Sequence, residues 1–276
     1  MLNVALVGLG AIGQGVVPLL LGAPCVHLLG VLVRPARLAQ ARTLLHGLQP
    51  AGRAPIQVAS DWSDLPWVGL PGNGLLVECA GHGAITEQVL PALAAGIPCV
   101  LASVGALAAP GLIDQLEAAA RAGGSRFELV AGAIGAIDAL AAAALGGLDS
   151  VHYTGTKPAL AWRGTPAEGL LDLAALSQAT AFFEGTAREA AAAYPRNANV
   201  AATVGLAGLG LDATRVRLVA DPHGSANSHH VQASGAFGEF TLTMRGKPLA
   251  GNPKTSALTV YSLARAVINH ARPLVI

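Results

Sequence analysis

Apolar runs alternate with helix-like segments through the first half of the chain. The runs Leu2–Val7 and Val26–Val33 flank a helical pattern over Ile12–Leu21. Three further runs predict buried parallel strands, because strands covered on both faces show no polar alternation; they are Gly74–Cys79, Pro98–Ala102 and Phe127–Ala131. A short strand is predicted near Ile56–Ala59, and helices at Ala36–His46, Ile85–Ala95 and Pro110–Ala122. This alternation predicts an α/β fold with a doubly wound parallel sheet.

The pattern changes after about residue 132. Helices are predicted at Ala133–Leu145, Gly169–Leu176, Ala181–Ala193 and Ala201–Leu209. Strands are predicted at Val151–Thr156, Thr214–Ala220 and His230–Met244, where the Gly235 and Gly238 breaks indicate a hairpin. A final amphipathic helix is predicted over Thr255–His270, with Leu258, Tyr261, Leu263 and Val267 facing inward. We therefore expect a dinucleotide-binding domain of residues 1–131, completed by residues 251–276, and an α+β domain of residues 132–250 for substrate binding and oligomerisation.

A glycine motif, Gly8-Leu9-Gly10-Ala11-Ile12-Gly13, joins the first predicted strand to the first helix. In this context Gly8 allows a tight turn, Gly10 allows close approach of a pyrophosphate, and Gly13 allows the helix to pack on the strand. The N–H groups at the helix start, which include Ala11 and Ile12, favour phosphate. The motif predicts a nicotinamide or flavin dinucleotide site on a Rossmann-type sheet. The alternative is a glycine-rich turn that binds nothing.

Arg34 stands at the end of the second predicted strand, where such motifs usually have an acid for the ribose 2′-hydroxyl. No Asp or Glu occurs before Asp61, and Arg37 and Arg42 follow Arg34. A guanidinium group pairs well with phosphate oxygens, which predicts that NADP is accepted alongside NAD. The alternative is that Arg34 stacks on adenine or faces solvent.

Composition narrows the class of protein. The chain has 276 residues, a net charge of +1 and only 12% charged residues. No basic stripe is interleaved with aromatic residues, which disfavours nucleic acid as a partner. The uncharged stretch 93–113 is punctuated by Gly and Pro, which disfavours a membrane span, and a strand from residue 2 leaves no room for a signal peptide. A charge-poor surface favours burial in an oligomer.

The three cysteines suit a reducing compartment. Cys25, Cys79 and Cys99 lie in or beside apolar runs without metal-like spacing. They are expected to be small buried thiols in a cytoplasmic protein.

Three segments carry candidate chemistry. The first, Glu78–Gly83, follows a predicted strand, and ligands of this fold bind at the carboxyl ends of the strands. Ala80, Gly81 and His82 are candidate cofactor contacts there, although a turn histidine without a role is the more common case. The second segment, Ala131–Gly135, lies at the junction of the halves, where small residues suit either a ligand or a tight domain junction.

The third segment contains two adjacent histidines, His229 and His230, preceded by Asn227-Ser228. Neighbouring residues on a strand point to opposite faces, so only one histidine can face a cleft. Histidine is the side chain best suited to move protons near neutral pH. No Cys, Asp or Glu stands nearby at ligand spacing, which disfavours a metal. The spacing alone does not choose between the two rings.

The chain resembles the L-aspartate dehydrogenase family. The most specific matching segments are Asn197–Ala202, Asn227–His229 and Asn252–Ala257. Others are Gly8–Gly13, Val77–Ala84, Ser103–Leu107 and Gly132–Leu140, and together they span nearly the full length in the expected order. The resemblance implies oxidation of L-aspartate with NAD or NADP to iminoaspartate, which hydrolyses to oxaloacetate and ammonia or enters NAD biosynthesis. Together with the apolar composition, it also implies a homodimer.

The resemblance implies roles for particular residues. The family's catalytic histidine is the second residue after the asparagine, which is His229 here, and its nicotinamide contacts fall on Ala133 and Asn199. Arg34 departs from the acid that many members have, which leaves the preference between NAD and NADP open.

The two carboxylates of the substrate need cationic or amide donors, since unpaired buried anions are costly. Few cations occur in the second half, and Lys157 and Lys254 are the candidates, with Asn227 as a further donor. For each lysine the alternative is an ordinary surface role.

Three other functions remain as alternatives. One is a homoserine dehydrogenase, and another is a dihydrodipicolinate reductase, which would need a more basic substrate motif. The third is a non-catalytic sensor of the cofactor, which would need neither His229 nor the Asn-x-Asn pair.

Overall fold

The computed structural model describes residues 1–49, 55–65, 74–195, 199–249 and 252–276, apart from the side chains of Pro253 and Lys254. The chain divides into two compact units. The first contains Met1–Ser103, Gly111–Val130 and Thr259–Ile276, and the second contains Val104–Pro110 and Ala131–Leu258. Within the described residues, no helix is both long enough and apolar enough to cross a membrane.

Helices and strands alternate as far as Leu129 and mix less regularly beyond it. The helices are α1 Ala11–Leu21, α2 Leu38–Leu48, α3 Leu90–Ala94, α4 Leu112–Gly123, α5 Ile137–Gly146, α6 Ala187–Ala193, α7 Asn199–Ala207 and α8 Ala257–Asn269. The strands are β1 Leu2–Val7, β2 Val26–Leu32, β3 Gln57–Ala59, β4 Gly74–Glu78, β5 Cys99–Leu101, β6 Phe127–Leu129, β7 Leu148–Pro158, β8 Thr180–Thr186, β9 Arg215–Asp221, β10 Asn227–Gly235, β11 Gly238–Gly246, β12 Pro248–Leu249 and β13 Asn252–Ser256.

The first unit is built on a six-stranded parallel sheet in the order β3-β2-β1-β4-β5-β6. Its central strands are buried on both faces, as their continuous apolar sequences predict. Strand order reverses between β1 and β4, which is the point where ligands bind in sheets of this kind. The predicted doubly wound parallel sheet is therefore confirmed.

The second unit is built on a five-stranded mixed sheet in the order β11-β10-β7-β9-β8. Strands β7 and β9 run parallel, and the other neighbouring pairs are antiparallel. Burial alternates along β7 and β10, so one face of the sheet is covered and the other is more open. Helices α5, α6 and α7 lie against this sheet.

Three predicted helices of the second half need correction. Residues 169–176 form turns, and residues 181–193 divide into strand β8 and helix α6. The division falls at Thr186, whose side chain and that of Glu189 form a reciprocal capping box, while the preceding strand that includes Phe183 pairs with β9. The helix predicted from Ala133 begins at Ile137, because Ala136 has a left-handed backbone with φ of 57°.

The C-terminal prediction also differs from the structure. Residues 252–256 form β13, which pairs with β12, so the helix begins at Ala257. Tyr261 is exposed, and the inward face of α8 is formed by Val260, Leu263, Ala264 and Val267. The first compact unit ends at Val130 and resumes at Thr259, and Val104–Pro110 belongs to the second unit. The domain division at residues 131 and 251 stays a prediction.

Candidate functional site

The glycine turn after β1 has the backbone that its motif predicts. Gly8 has φ of 100°, and a Cβ there would lie 2.8 Å from the Cα of Ala80. A Cβ on Gly13 would lie 2.3 Å from the carbonyl oxygen of Gly8, so the helix can pack this closely only with glycine. A Cβ on Gly10 would meet nothing within 4 Å, so Gly10 borders open space in the described structure. These three environments fit a turn that a pyrophosphate can approach closely.

Helix α1 begins directly after this turn. Its N-cap residue is Gly10, and no side chain caps the helix or places an acid in its first turn. The N–H groups and the positive end of the helix dipole therefore suit an anion. Ala11, Ile12 and Gly13 form the first turn of this helix.

A cleft of about 370 Å³ opens beside the turn. Four of the predicted residues line it: Gly8, Gly10, Arg34 and Ala80. Arg37 also lines it and donates to the Oε1 of Gln40, a further lining residue, at 2.6 Å. The wall at the end of β2 is therefore cationic, which suits a phosphate better than a hydroxyl.

Glu78, at the end of β4, organises the adjoining loops. It is fully buried, and its carboxylate accepts hydrogen bonds from the N–H groups of Ala80 and Gly81, both at 2.8 Å. It also accepts from the N–H of Ser103 at 3.0 Å and the hydroxyl of Ser103 at 2.8 Å. His82 follows in the same turn, and its carbonyl accepts from the N–H of Ile85. Sequence reasoning missed this role of Glu78, because an acid inside an apolar run gives no sign of its partners.

The covered face of the second unit brings three predicted residues together. His229 and Asn227 lie on β10, Lys157 lies on β7, and all three are buried. His230 points to the opposite face, where its Nδ1 shares a 2.8 Å hydrogen bond with the Thr243 hydroxyl. The side chain of Lys254, the remaining candidate, lies outside the described residues.

His229 is the most unusual side chain of this face. It is 4% exposed, and its Nδ1 shares a 2.8 Å hydrogen bond with the hydroxyl of Tyr153 on β7. Its Nε2 is buried without a hydrogen-bond partner among the described residues. Burial first, and then the charge of Lys157, lower the pKa of His229 to about 4, so the ring is neutral at physiological pH. A neutral imidazole with one nitrogen held and the other unpartnered is equipped to exchange a proton.

Lys157 supplies a buried cation close to this ring. It is 5% exposed, and its Nζ lies 5.3 Å from the centroid of the Trp162 ring. An ammonium group can donate charge-assisted hydrogen bonds to an anionic ligand. Among the described residues, no group of three or more His, Cys, Asp or Glu side chains is arranged to hold a metal ion.

Two predicted cofactor contacts belong to the second unit. The Oδ1 of Asn199, at the start of α7, accepts a hydrogen bond from the N–H of Gly105 at 2.9 Å. This atom therefore has a structural partner within the second unit. Ala133 is a buried residue in the turn before α5.

Comparison with known proteins identifies relatives over the whole chain. Residues 8–129 match the family model described as homoserine dehydrogenase, NAD binding domain, and residues 138–270 match the model described as aspartate dehydrogenase, C-terminal. The L-aspartate dehydrogenase of Pseudomonas aeruginosa is 59% identical over 274 residues, which are 99% of each chain. That of Cupriavidus necator is 58% identical over 271 residues, which are 98% of each chain.

Solved structures give the same relationship. The crystal structure of aspartate dehydrogenase from Thermotoga maritima matches with a TM-score of 0.70 and 25% sequence identity. The match covers 100% of this chain and 99% of that chain.

Proposed function

Because the chain belongs to the L-aspartate dehydrogenase family, we propose that it oxidises L-aspartate to iminoaspartate with NAD or NADP. The observation that supports this chemistry is the environment of His229. Its Nε2 is buried and has no hydrogen-bond partner among the described residues, and its side chain lies on the same face of the sheet as Lys157 and Asn227. The match of residues 138–270 to the aspartate dehydrogenase model favours this activity over that of a homoserine dehydrogenase or a dihydrodipicolinate reductase.

We assign the dinucleotide to the first unit. The turn of Gly8, Gly10 and Gly13 and the N–H groups of Ala11 and Ile12 would hold the pyrophosphate. Arg34 would hold a ribose 2′-phosphate, and Ala80, Gly81 and His82 would border the nicotinamide ribose. When bound, the nicotinamide supplies the acceptor for the hydride that leaves Cα of aspartate. The expected contacts of Ala133 and Asn199 stay a prediction.

We assign proton transfer to the Nε2 of His229. The substrate nitrogen must lose a proton before the C=N bond forms, and an imidazole that is neutral at pH 7 can take it. After it has released that proton, the same atom can activate the water that hydrolyses iminoaspartate. Burial excludes bulk water from the ring, which preserves its orientation toward a bound substrate.

We assign the substrate carboxylates to the donors around His229. The Lys157 ammonium and the Asn227 amide are buried on the same face, so their rotamers are restricted by packing. Lys254 remains a third expected donor. Two anchored carboxylates would fix the Cα of a four-carbon substrate, which is the positional control that hydride transfer needs.

We also propose a cytoplasmic homodimer. A chain with 12% charged residues, and with Leu145, Leu160, Leu170 and Phe237 exposed, has apolar surface to cover. The three free thiols support a reducing compartment.

The proposed function is tested by following the absorbance of reduced nicotinamide. The protein is mixed with NAD or NADP and with L-aspartate, D-aspartate, L-glutamate or L-homoserine. We expect reduction with L-aspartate alone; reduction with L-homoserine alone would assign the chain a different substrate. His229→Ala should lower kcat by about 10²- to 10⁴-fold without weakening cofactor binding. The matched control is His230→Ala on the opposite face, and equal losses in both variants would contradict the assignment.

A further inference from the structure

Strands β7 and β10 place two buried rings diagonally across the sheet. In the antiparallel register His229 stands opposite Gly155, and Val231 stands opposite Tyr153. Tyr153, Gly155 and His229 therefore lie on the same face, and the tyrosine ring can reach diagonally toward the histidine. The two rings are nearly parallel, with an interplanar angle of 17° and a centroid separation of 6.1 Å.

Gly155 leaves the space that this contact needs. A Cβ on Gly155 would lie 2.7 Å from the hydroxyl oxygen of Tyr153 and 3.2 Å from the carbon that bears it. Any other residue would therefore push the hydroxyl away from His229 or displace the strand. Gly155 does not have a positive φ, so its requirement here is for space and not for backbone freedom.

The hydroxyl of Tyr153 forms its hydrogen bond with His229. It is buried, its oxygen lies 2.8 Å from Nδ1, and it has no other hydrogen-bond partner among the described residues. Burial also raises the pKa of Tyr153 well above its usual range, so the group stays a neutral O–H.

A phenol hydroxyl suits a ring that both takes and gives a proton. It donates to Nδ1 when Nε2 carries the hydrogen, and it accepts from the Nδ1 hydrogen when Nε2 is bare or the ring is a cation. An ionised carboxylate only accepts hydrogen bonds, so it could pair only with a ring that carries a hydrogen on Nδ1. In each state the hydroxyl occupies Nδ1 and leaves Nε2, which has no partner among the described residues, for exchange.

We infer that Tyr153 is a positioning residue that holds the imidazole of His229 in one orientation and occupies its Nδ1, so that only Nε2 exchanges protons with a ligand. This inference rests on the role of His229 in the proposed function. Its spectroscopic test does not depend on activity, so failure of the proposed function and failure of this inference can be told apart.

The first test uses the unmodified protein. Nitrogen-15 NMR of histidine side chains distinguishes a protonated ring nitrogen from a bare one, and the spectrum of His229→Gln identifies the signals of His229. Because the ring-nitrogen signal also reports hydrogen bonding, we expect the Nδ1 signal of His229 at pH 7 to be that of a hydrogen-bonded nitrogen. An Nδ1 signal that matches a ring without a hydrogen-bond partner would overturn the inference.

The second test removes the hydroxyl. Tyr153→Phe should remove the hydrogen-bond shift of the His229 Nδ1 signal and lower kcat for L-aspartate by about tenfold or more, with KM for aspartate and the Kd for cofactor changed by less than about threefold. Gly155→Ala keeps the hydroxyl but displaces it, and should act in the same direction. The matched control is Thr243→Val, which removes the equivalent hydroxyl from His230 and should leave both the His229 signals and kcat unchanged. An unchanged Nδ1 signal and an unchanged kcat in Tyr153→Phe would refute the positioning role.

Discussion

The carboxylate of Glu78 accepts both the N–H and the hydroxyl of Ser103, which joins the loops that follow β4 and β5. The same carboxylate holds the N–H groups of Ala80 and Gly81. One buried acid thus fixes two loops at the edge of the sheet where a dinucleotide is expected to bind.

Replacing Glu78 by glutamine should therefore destabilise the first unit. The amide NH2 of Gln is itself a donor and would face the N–H donors that the carboxylate now accepts from. At least one of these N–H groups would therefore be left unpaired. We expect the free energy of unfolding to fall by about 2–3 kcal/mol, measured by urea denaturation, together with weaker cofactor binding. The same substitution at exposed Glu239 should change stability by less than about 0.5 kcal/mol. Equal stability of Glu78→Gln and the unmodified protein would disprove the argument.

Arg34 should determine how well the enzyme uses NADP. Arg34→Asp places a negative charge where a 2′-phosphate would bind, so KM for NADP should rise about 10- to 100-fold and KM for NAD much less. Steady-state kinetics with both cofactors measures the difference. Arg42→Asp is the control, since Arg42 lies on α2 and is absent from the residues that line the cleft. Equal effects of Arg34→Asp on both cofactors would assign Arg34 another role.

His229 should make the protein less stable as the pH falls. Its pKa is about 4 in the folded protein against an ordinary value of 6.5, so the unfolded chain binds the proton first. The free energy of unfolding should decline between pH 6.5 and 4, by about 3 kcal/mol from this one group. Denaturation at pH 7 and pH 5 should show a smaller decline for His229→Gln. His230→Gln should behave like the unmodified protein, and the same decline in all three would contradict the assignment.

Lys157 should contribute to aspartate binding and to the low pKa of His229. Lys157→Met keeps the apolar stem and removes the charge, so KM for aspartate should rise about tenfold or more. The pKa of His229, followed by NMR, should rise at the same time because a nearby positive charge is lost. Lys247→Met, at an exposed lysine, should change neither quantity. An unchanged KM in Lys157→Met would remove this lysine from the substrate site.

The homodimer should be visible by sedimentation equilibrium. We expect a species of twice the 27.6 kDa of one chain at the concentration used for activity measurements. A species of the mass of one chain would contradict the proposed dimer.

The first unit could be predicted almost completely, because its signals are local. Continuous apolar runs, short helices and the order of Gly8, Gly10 and Gly13 are properties of neighbouring residues, and the parallel sheet follows from their alternation. The second unit was predicted less well, because its elements depend more on pairing between distant segments than on local signals. The alanine-rich and aromatic residues 181–193 satisfy a helical pattern, while pairing with β9 makes the first six of them part of a strand.

The pair His229 and His230 shows the same contrast between what local sequence determines and what tertiary structure decides. Because side chains alternate along a strand, the sequence alone determined that His229 and His230 face opposite sides. Which of them is buried depends on how β10 pairs with β7, whose residues lie more than seventy positions earlier in the chain. The partners of Glu78 and of His229 were likewise decided only by tertiary structure, because hydrogen bonds between distant segments depend on register and depth of burial, which no local pattern records.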